Sequence, residues 1–402
     1  MGFEFSLKLP QAKRAATCGM VLASMLGATA AARADTAEEI RSVARAQFER
    51  HSLNALLLEV RIDGEVVLTE AMGDAMTGVP ATTEGRFRNG AVALAYVAAL
   101  ALRLAEEGIV DLDEPIAKWM PDLPGSDTAT IRMLLNMTAG YPDHVANEAA
   151  FVDPFLEDPF KTWTPEDLIA VSLSTPRMFA PGTNWDYSHS GYVIAGQVLE
   201  AATGHPVAEL MEEYVLGPLD LTGTYGFDTA EIPPPAIHAF TAERGIWEDS
   251  TYWNPSWTMP SGAIQVSTIS DVARSFDTIV GTDGFLTPGS RAQMIDPVLI
   301  GFGTPLPGCP GCHELTEAFS YGLGAKLRGD WVFQTPQFGG YAAAVATLPD
   351  ERSEAGRITI AVAVTHKRVY IDNWEGNFPN LATETVQLIA EDIHPQNPPP
   401  GR

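Results

Sequence analysis

The sequence predicts an α+β protein in which helices flank an antiparallel sheet built from both chain termini, with a mostly helical subdomain inserted between them. Two observations lead to this prediction. β-Rich segments occur near the start of the chain and return near its end, whereas helical patterns dominate roughly residues 95–225. With 402 residues, of which 46% are hydrophobic, the chain can bury a large core.

Local patterns place the individual elements. The predicted strands are residues 56–62, 66–68, 321–326, 331–334, 341–347 and 358–365. The predicted helices include residues 36–51, 91–107 and 381–393. Asp63-Gly64, between the first two strands, is typical of a tight hairpin, and Gly108 ends the second helix. Because no internal repeat or long linker separates these elements, we expect one domain over residues 35–402.

The N-terminus has the layout of a cleavable export signal. Lys8, Lys13 and Arg14 precede an apolar stretch at residues 15–30, and small residues follow up to position 34. The apolar stretch is shorter than a membrane span, and no later segment supplies one. We therefore expect residues 1–34 to be a signal peptide and the protein to be periplasmic or secreted.

The charge of the chain bears on its partners. Its formal net charge is −26, which opposes binding to nucleic acid because the phosphates would be repelled. The simpler explanation of the acidity is solubility. The sequence does not identify a protein partner.

Cys309 and Cys312 lie in a segment rich in proline and glycine, with the sequence PGCPGCH. In an oxidising compartment the expected outcome is a disulfide that closes a small loop. Two alternatives stay open: a free or redox-active pair, and covalent c-type haem attachment through Cys309, Cys312 and His313. Apart from that alternative, no cofactor is expected.

Three segments carry a resemblance to a known family. They are FRNGAVALAY at residues 87–96, EEGIVDLDEP at 106–115 and IRMLLNMTAG at 131–140. The sequence resembles the serine β-lactamases and penicillin-binding proteins, especially their class C-like group, over about residues 40–390. The resemblance implies the β-lactamase/transpeptidase-like fold.

The family's first motif is S-x-x-K, which supplies a nucleophilic serine and a lysine base one helical turn later. The matching positions here are Ala91 and Leu94. The resemblance therefore implies that both groups are absent. Comparable losses in other serine hydrolases lower turnover by on the order of 10⁶-fold.

The second motif, Y-x-N, corresponds to Tyr187-Ser188-His189. Tyrosine is retained, and histidine replaces asparagine. His189 can act as an acid or base near neutral pH, or it can simply be hydrogen-bonded within a loop. The loss of the first motif favours the second interpretation.

The third motif, a basic residue followed by Ser or Thr and Gly, corresponds to Gln334-Thr335-Pro336. Glutamine supplies no cation and proline no N–H, so Thr335 alone fits the pattern. The resemblance places four aromatic residues near the rim of the cleft, where they either line an apolar pocket or pack a long loop onto the protein. These aromatic residues are Trp247, Tyr252, Trp253 and Trp257.

The sequence favours an exported, non-hydrolytic pseudoenzyme that binds a small acyl, ester-like or peptide-like ligand, or a partner, with Ser188, Gln334, Thr335 and Trp253 as contacts. The alternative is an active serine-type hydrolase, an esterase, D-amino-acid peptidase or β-lactamase-like enzyme with a relocated nucleophile. The candidate nucleophiles are Ser188, Ser190 and Ser261. A metal site at Asp143, His144 and His189 lacks the usual ligand spacing, so no metal is expected.

Overall fold

A computed structural model describes residues 15–226, 229–263, 265–354, 356–369 and 379–401. The predicted architecture is confirmed: a nine-stranded sheet runs in the order β3-β2-β1-β14-β13-β11-β10-β9, with β12 paired to β13. The strands of this sheet are β1 Leu53–Ile62, β2 Glu65–Met76, β3 Val79–Pro80, β9 Ser320–Tyr321, β10 Lys326–Arg328, β11 Trp331–Gln334, β12 Gln337–Phe338, β13 Tyr341–Leu348 and β14 Ile358–His366.

Two smaller sheets lie outside the large one. They are formed by β4 Phe87–Arg88, β5 Tyr225–Gly226 and β8 Gln265–Ser267, and by β6 Phe240–Thr241 and β7 Glu248–Asp249. The helices are α1 Ala15–Arg50, α2 Val92–Glu106, α3 Ile131–Leu135, α4 Asp153–Glu157, α5 Pro165–Leu173, α6 His189–Thr203, α7 Val207–Met211, α8 Ile269–Ile279, α9 Pro288–Ile295 and α10 Leu381–Ile393. Shorter helical turns cover Ile116–Lys118, His144–Ala146, Glu148–Val152, Glu212–Leu216 and Asp350–Arg352.

The large sheet joins the two ends of the chain. β1 pairs antiparallel with β2 on one side and with β14 on the other. Asp63 and Gly64 both have positive φ, 52° and 81°, as a two-residue hairpin turn requires, so the predicted hairpin is confirmed. Both of its strands extend further from the turn than the sequence indicated.

Alternating residues of the sheet face two different helix layers. In β1, Leu57 packs in the cluster that contains α2, whereas Leu56 and Leu58 pack in the cluster that contains α1 and α10. This alternation follows from the period of two in a β-strand. The sheet is thus covered on both faces, which explains why its central strands are almost continuously apolar.

One predicted strand is wrong. Residues 321–326 are not continuous strand, because a turn separates β9 from β10 and Tyr321 pairs with Lys326. The Gly322 N–H donates to the Ala325 carbonyl at 2.9 Å, and Gly324 has a φ of 68°, which favours glycine. The segment is therefore a hairpin.

The first helix begins at Ala15 and includes most of the segment predicted at residues 36–51. Residues 1–14 lie outside the described part of the chain, so the predicted signal peptide stays a prediction. Within the described part, no helix is both long enough and apolar enough to cross a membrane.

Helix α2 lies at the centre of the protein. Its first charged residue is Arg103, and the side chains of residues 92–102 are all buried. A helix that is apolar on every side is stable only when protein surrounds it. Gly324 contacts the main-chain carbonyl of Leu94, and an added Cβ at Gly324 would overlap that oxygen.

The contact between Gly324 and α2 predicts that alanine destabilises the protein more at position 324 than at another glycine with positive φ. Gly108, with a φ of 72°, has the same backbone conformation but nothing within 4 Å of an added Cβ. Gly108→Ala should lower the free energy of unfolding by about 1 kcal/mol, the cost of the left-handed conformation. Gly324→Ala should cost about 2 kcal/mol more, because it also overpacks α2. Guanidinium unfolding measures both; equal losses would contradict the contact.

Candidate active site

The start of α2 carries no reactive side chain. Ala91 is the N-cap of the helix, with φ −64° and ψ −3°, and makes no side-chain cap. Leu94, one turn later, has no exposed surface and packs in the core. The two positions that the sequence resemblance matches to a nucleophile and a base therefore carry a methyl group and a buried alkyl chain.

The segment after β11 lies beside this helix start. An added Cβ at Gly90 would lie 2.6 Å from the Pro336 side chain, so the two chain segments are in contact. Gln334 is fully buried and donates its Nε2 to the Gly324 carbonyl at 2.7 Å. This geometry favours a structural role for Gln334 over contact with a ligand.

Thr335 is accompanied by a cation that sequence reasoning missed. Lys326 Nζ donates to Thr335 Oγ1 at 2.7 Å. Lys326 lies on β10, where it pairs with Phe333 of β11, so the lysine reaches Thr335 from the neighbouring strand. The sequence signal was a lysine in a β-rich segment, but only the antiparallel pairing of β10 with β11 brings it to this place.

Tyr187 joins this cation to the second motif. Lys326 Nζ lies 5.6 Å from the centre of the Tyr187 ring. The ring centres of Tyr187 and His189 lie 5.2 Å apart, and the two rings pack edge to face. Burial, followed by the nearby Tyr321 and Asp143, raises the pKa of Tyr187 well above its ordinary value. The phenol is therefore protonated at neutral pH and can donate a hydrogen bond.

His189 is held by Asp143. The two Asp143 oxygens lie 3.3 and 3.1 Å from His189 Nδ1, and Oδ1 also accepts the His189 backbone N–H at 3.1 Å. Since Ser188, the N-cap of α6, makes no side-chain cap, Asp143 supplies the negative charge at that helix start. The interaction thus both caps the helix and orients the imidazole.

Burial alone would raise the pKa of Asp143. The charge and hydrogen bond of His189 oppose this effect, with help from His144 and the Val145 N–H, and the pKa of Asp143 is below its usual value. An ionised carboxylate only accepts hydrogen bonds, so His189 Nδ1 carries the proton. In neutral His189, Nε2 then holds the lone pair.

Ser190 forms a serine–histidine pair that is closed to ligands. Its Oγ lies 3.0 Å from His144 Nδ1, and His144 Nε2 lies 2.9 Å from the Trp257 carbonyl. Burial lowers the pKa of His144 to about 4, so the ring is neutral and donates from Nε2. Both side chains have no exposed surface, which makes this pair structural.

Ser188 is also poorly placed to attack a ligand. The residue is 6% exposed, and its Oγ is buried with no hydrogen-bond partner in the described part of the chain. A serine needs a base within hydrogen-bond reach to become a nucleophile. His189, the adjacent residue, directs its Nδ1 to Asp143 instead.

The four aromatic residues predicted for the site differ in their exposure to solvent. Trp253 has no exposed surface and Trp257 only 8%, and both pack with Phe155. Trp247 stacks on Phe240, and Tyr252 is 46% exposed. Packing is therefore the favoured role of Trp253, whereas Trp257 also borders the site, with its ring 6.2 Å from His189.

A cavity of about 730 Å³ opens beside the His189–Asp143 pair. Asp143, Asp186 and Tyr187 line one side of it, and residues 307–311 form the opposite wall. The volume lies within the range of small-molecule sites, about 300–1,000 Å³.

The wall at residues 307–311 includes the predicted disulfide, which is present between Cys309 and Cys312. Asp186 and the two sulfur atoms lie within 4.8 Å of one another, a spacing that suits a metal ion. Because the sulfurs are bonded to each other, neither is a thiolate ligand here, and neither is a thiol that could attach haem.

The Asp186 carboxyl has a raised pKa that gives a test of this cavity. Burial and the nearby Asp143 raise the pKa of Asp186 to about 6. Its contribution to folding stability is therefore complete below the ordinary pKa of about 4 and is lost as the pH rises through 6. Asp186→Asn should be more stable than the wild type at pH 7, by on the order of 1 kcal/mol after allowance for solvent screening.

The measurement is the unfolding midpoint of both proteins at pH 4 and pH 7. Asp122→Asn, a substitution of an exposed carboxylate, is the matched control and should show no such difference. A gain for Asp186→Asn that is equal at both pH values would contradict the raised pKa.

Tyr187, Lys326 and Thr335 thus form a cluster, and Pro336, the residue after Thr335, contacts the turn before α2. Residues 40–377 match the model of the family described as Beta-lactamase. The chain therefore belongs to the β-lactamase family.

Similar proteins include several hydrolases. The chain is 28% identical to esterase EstB of Burkholderia gladioli over 352 residues, which cover 79% of this chain and 85% of that protein. It is 24% identical to penicillin-binding protein 4* of Bacillus subtilis over 300 residues, or 71% of this chain and 61% of that protein. A D-amino acid amidase structure from Ochrobactrum anthropi SV3 has a TM-score of 0.71 at 23% identity and covers 89% of this chain and 98% of that one. This last likeness concerns the fold.

Proposed function

We propose that this protein is an exported member of the β-lactamase family that binds a peptide-like or ester-like ligand, or a partner, without forming an acyl-enzyme. The observation that carries the proposal is the pair of side chains at the start of α2. Ala91 has no nucleophilic atom, and Leu94 is fully buried among apolar neighbours. The covalent route of the family requires a hydroxyl and a base at these two positions.

Other features support binding. The cavity of about 730 Å³ beside Tyr187 is large enough for a small ligand. Lys326 and Thr335 form a polar pair that can bind a carbonyl or carboxylate group. In the proposed function these polar groups recognise the ligand, and recognition needs no acyl-enzyme.

The alternative of a relocated serine nucleophile has weaker support. Ser190 is buried and bound to His144, and Ser188 is buried without a base. Neither arrangement combines an exposed hydroxyl with a proton acceptor, which nucleophilic catalysis requires.

Intact-mass spectrometry after incubation with a labelled penicillin and with a fluorophosphonate tests the proposal. The wild type should show no added mass. Ala91→Ser/Leu94→Lys restores both missing groups and serves as the positive control, in which a covalent adduct is expected. A stoichiometric adduct on the wild-type protein would refute the proposal, and peptide mapping would then identify the nucleophile.

A further inference from the structure

We propose that His189 is the general base of a residual, non-covalent hydrolysis in this cleft, with Asp143 as its positioning residue and water as the nucleophile. The inference rests on the proposed function, because it needs an ester-like ligand bound beside Tyr187. It goes beyond that function by assigning a reaction to a site that has lost the family's nucleophile.

The first argument is the fixed tautomer of His189. Asp143 accepts from Nδ1 and from the backbone N–H of the same residue, so the imidazole is fixed at two points. A carboxylate that fixes one ring nitrogen leaves the other as the proton acceptor, which is the arrangement of a serine hydrolase His–Asp pair. Asp143 could cap α6 through the backbone N–H of His189 alone, so its second contact, with Nδ1, serves to orient the ring.

The second argument is the environment of Nε2. The His189 side chain is 18% exposed, and Nε2 makes no hydrogen bond within the residues that the structure describes. His144 offers the contrast, since both of its ring nitrogens are hydrogen-bonded and its side chain is closed to solvent. Of these two neighbouring histidines, one is structural and the other keeps an acceptor atom open to a ligand.

The third argument is the neighbourhood of the ring. His189 lies edge-to-face between Tyr187, at 5.2 Å, and Trp257, at 6.2 Å. Tyr187 in turn contacts Lys326, which donates to Thr335. A protonated phenol beside the imidazole, with an ammonium group beside the phenol ring, can stabilise the negative charge that develops on a carbonyl oxygen.

The proposed hydrolysis uses only the ester, one water molecule and the His189 imidazole. As the water oxygen bonds to the ester carbon, its proton passes to His189 Nε2, and the carbonyl oxygen becomes an oxyanion. The oxyanion then re-forms the carbonyl, the ester C–O bond breaks, and the leaving alkoxide takes the proton from Nε2. The products are a carboxylic acid and an alcohol, and no bond to the protein forms at any stage.

The test is hydrolysis of phenyl butyrate by the full chain, followed by product chromatography and by intact mass. The wild type should hydrolyse the ester with no added mass. His189→Asn keeps a side chain able to donate to Asp143 but removes the base, and should lower kcat by about 10²–10⁴-fold. Asp143→Asn should lower kcat by a larger factor than it changes KM, because it disturbs the tautomer while keeping nearly the same side-chain shape in the cavity wall.

His205→Asn is the matched control. His205 forms a similar pair with Glu209, at 3.3 Å, but both side chains are more than half exposed and take no part in the cleft. This variant should hydrolyse the ester at the wild-type rate. Circular dichroism and the unfolding midpoint establish that each variant is folded, and His189→Gln replaces His189→Asn if the latter is not.

The outcomes separate the two proposals. Wild-type rates in folded His189→Asn and His189→Gln would overturn the role of His189. Binding of phenyl butyrate with neither turnover nor adduct would also overturn it, while the proposed function would stand. A covalent adduct during turnover would refute the proposed function itself.

Discussion

The all-apolar character of α2 is the constraint on which the site depends. Because residues 92–102 are buried on every side, the helix cannot shift without opening the core. Gly324 fixes it further by contacting the Leu94 carbonyl. The helix start, with Ala91 as its N-cap, is thus held in one place relative to the segments packed around it.

Burial and nearby charges set the protonation states of the side chains around the start of α6. Burial keeps Tyr187 and His144 neutral, whereas His189 keeps Asp143 ionised despite burial. The same carboxylate therefore caps a helix and fixes a tautomer. Two histidines whose ring centres lie 6.1 Å apart have different roles, because only one of them has a carboxylate partner and contact with solvent.

Local patterns predicted those elements that depend on local interactions. The turn at Asp63-Gly64, the strand Trp331–Gln334 and the helix Leu381–Ile393 were predicted from turn residues and apolar periodicity alone. The hairpin at residues 322–325 was missed, because two glycines within a β-rich run are compatible with both a strand and a turn.

The site was less predictable, because it is assembled by long-range contacts. Tyr187 and His189 could be found from a motif. Asp143 is 46 positions from His189, and Lys326 reaches Thr335 through the pairing of β10 with β11, so neither contact follows from a local motif. Burial of Gln334 and Trp253 is likewise a property of packing, which residue type does not specify.

The pairing of β1 with β14 has a consequence for how the protein acquires its structure. The strands that complete the centre of the large sheet are made last, so a growing chain on the ribosome offers only an unpaired β1–β2 edge. Contacts between distant parts of a chain form slowly. The centre of the large sheet therefore closes only after β13 and β14 have been synthesised, and until then β1 presents unpaired backbone groups to which a chaperone could bind.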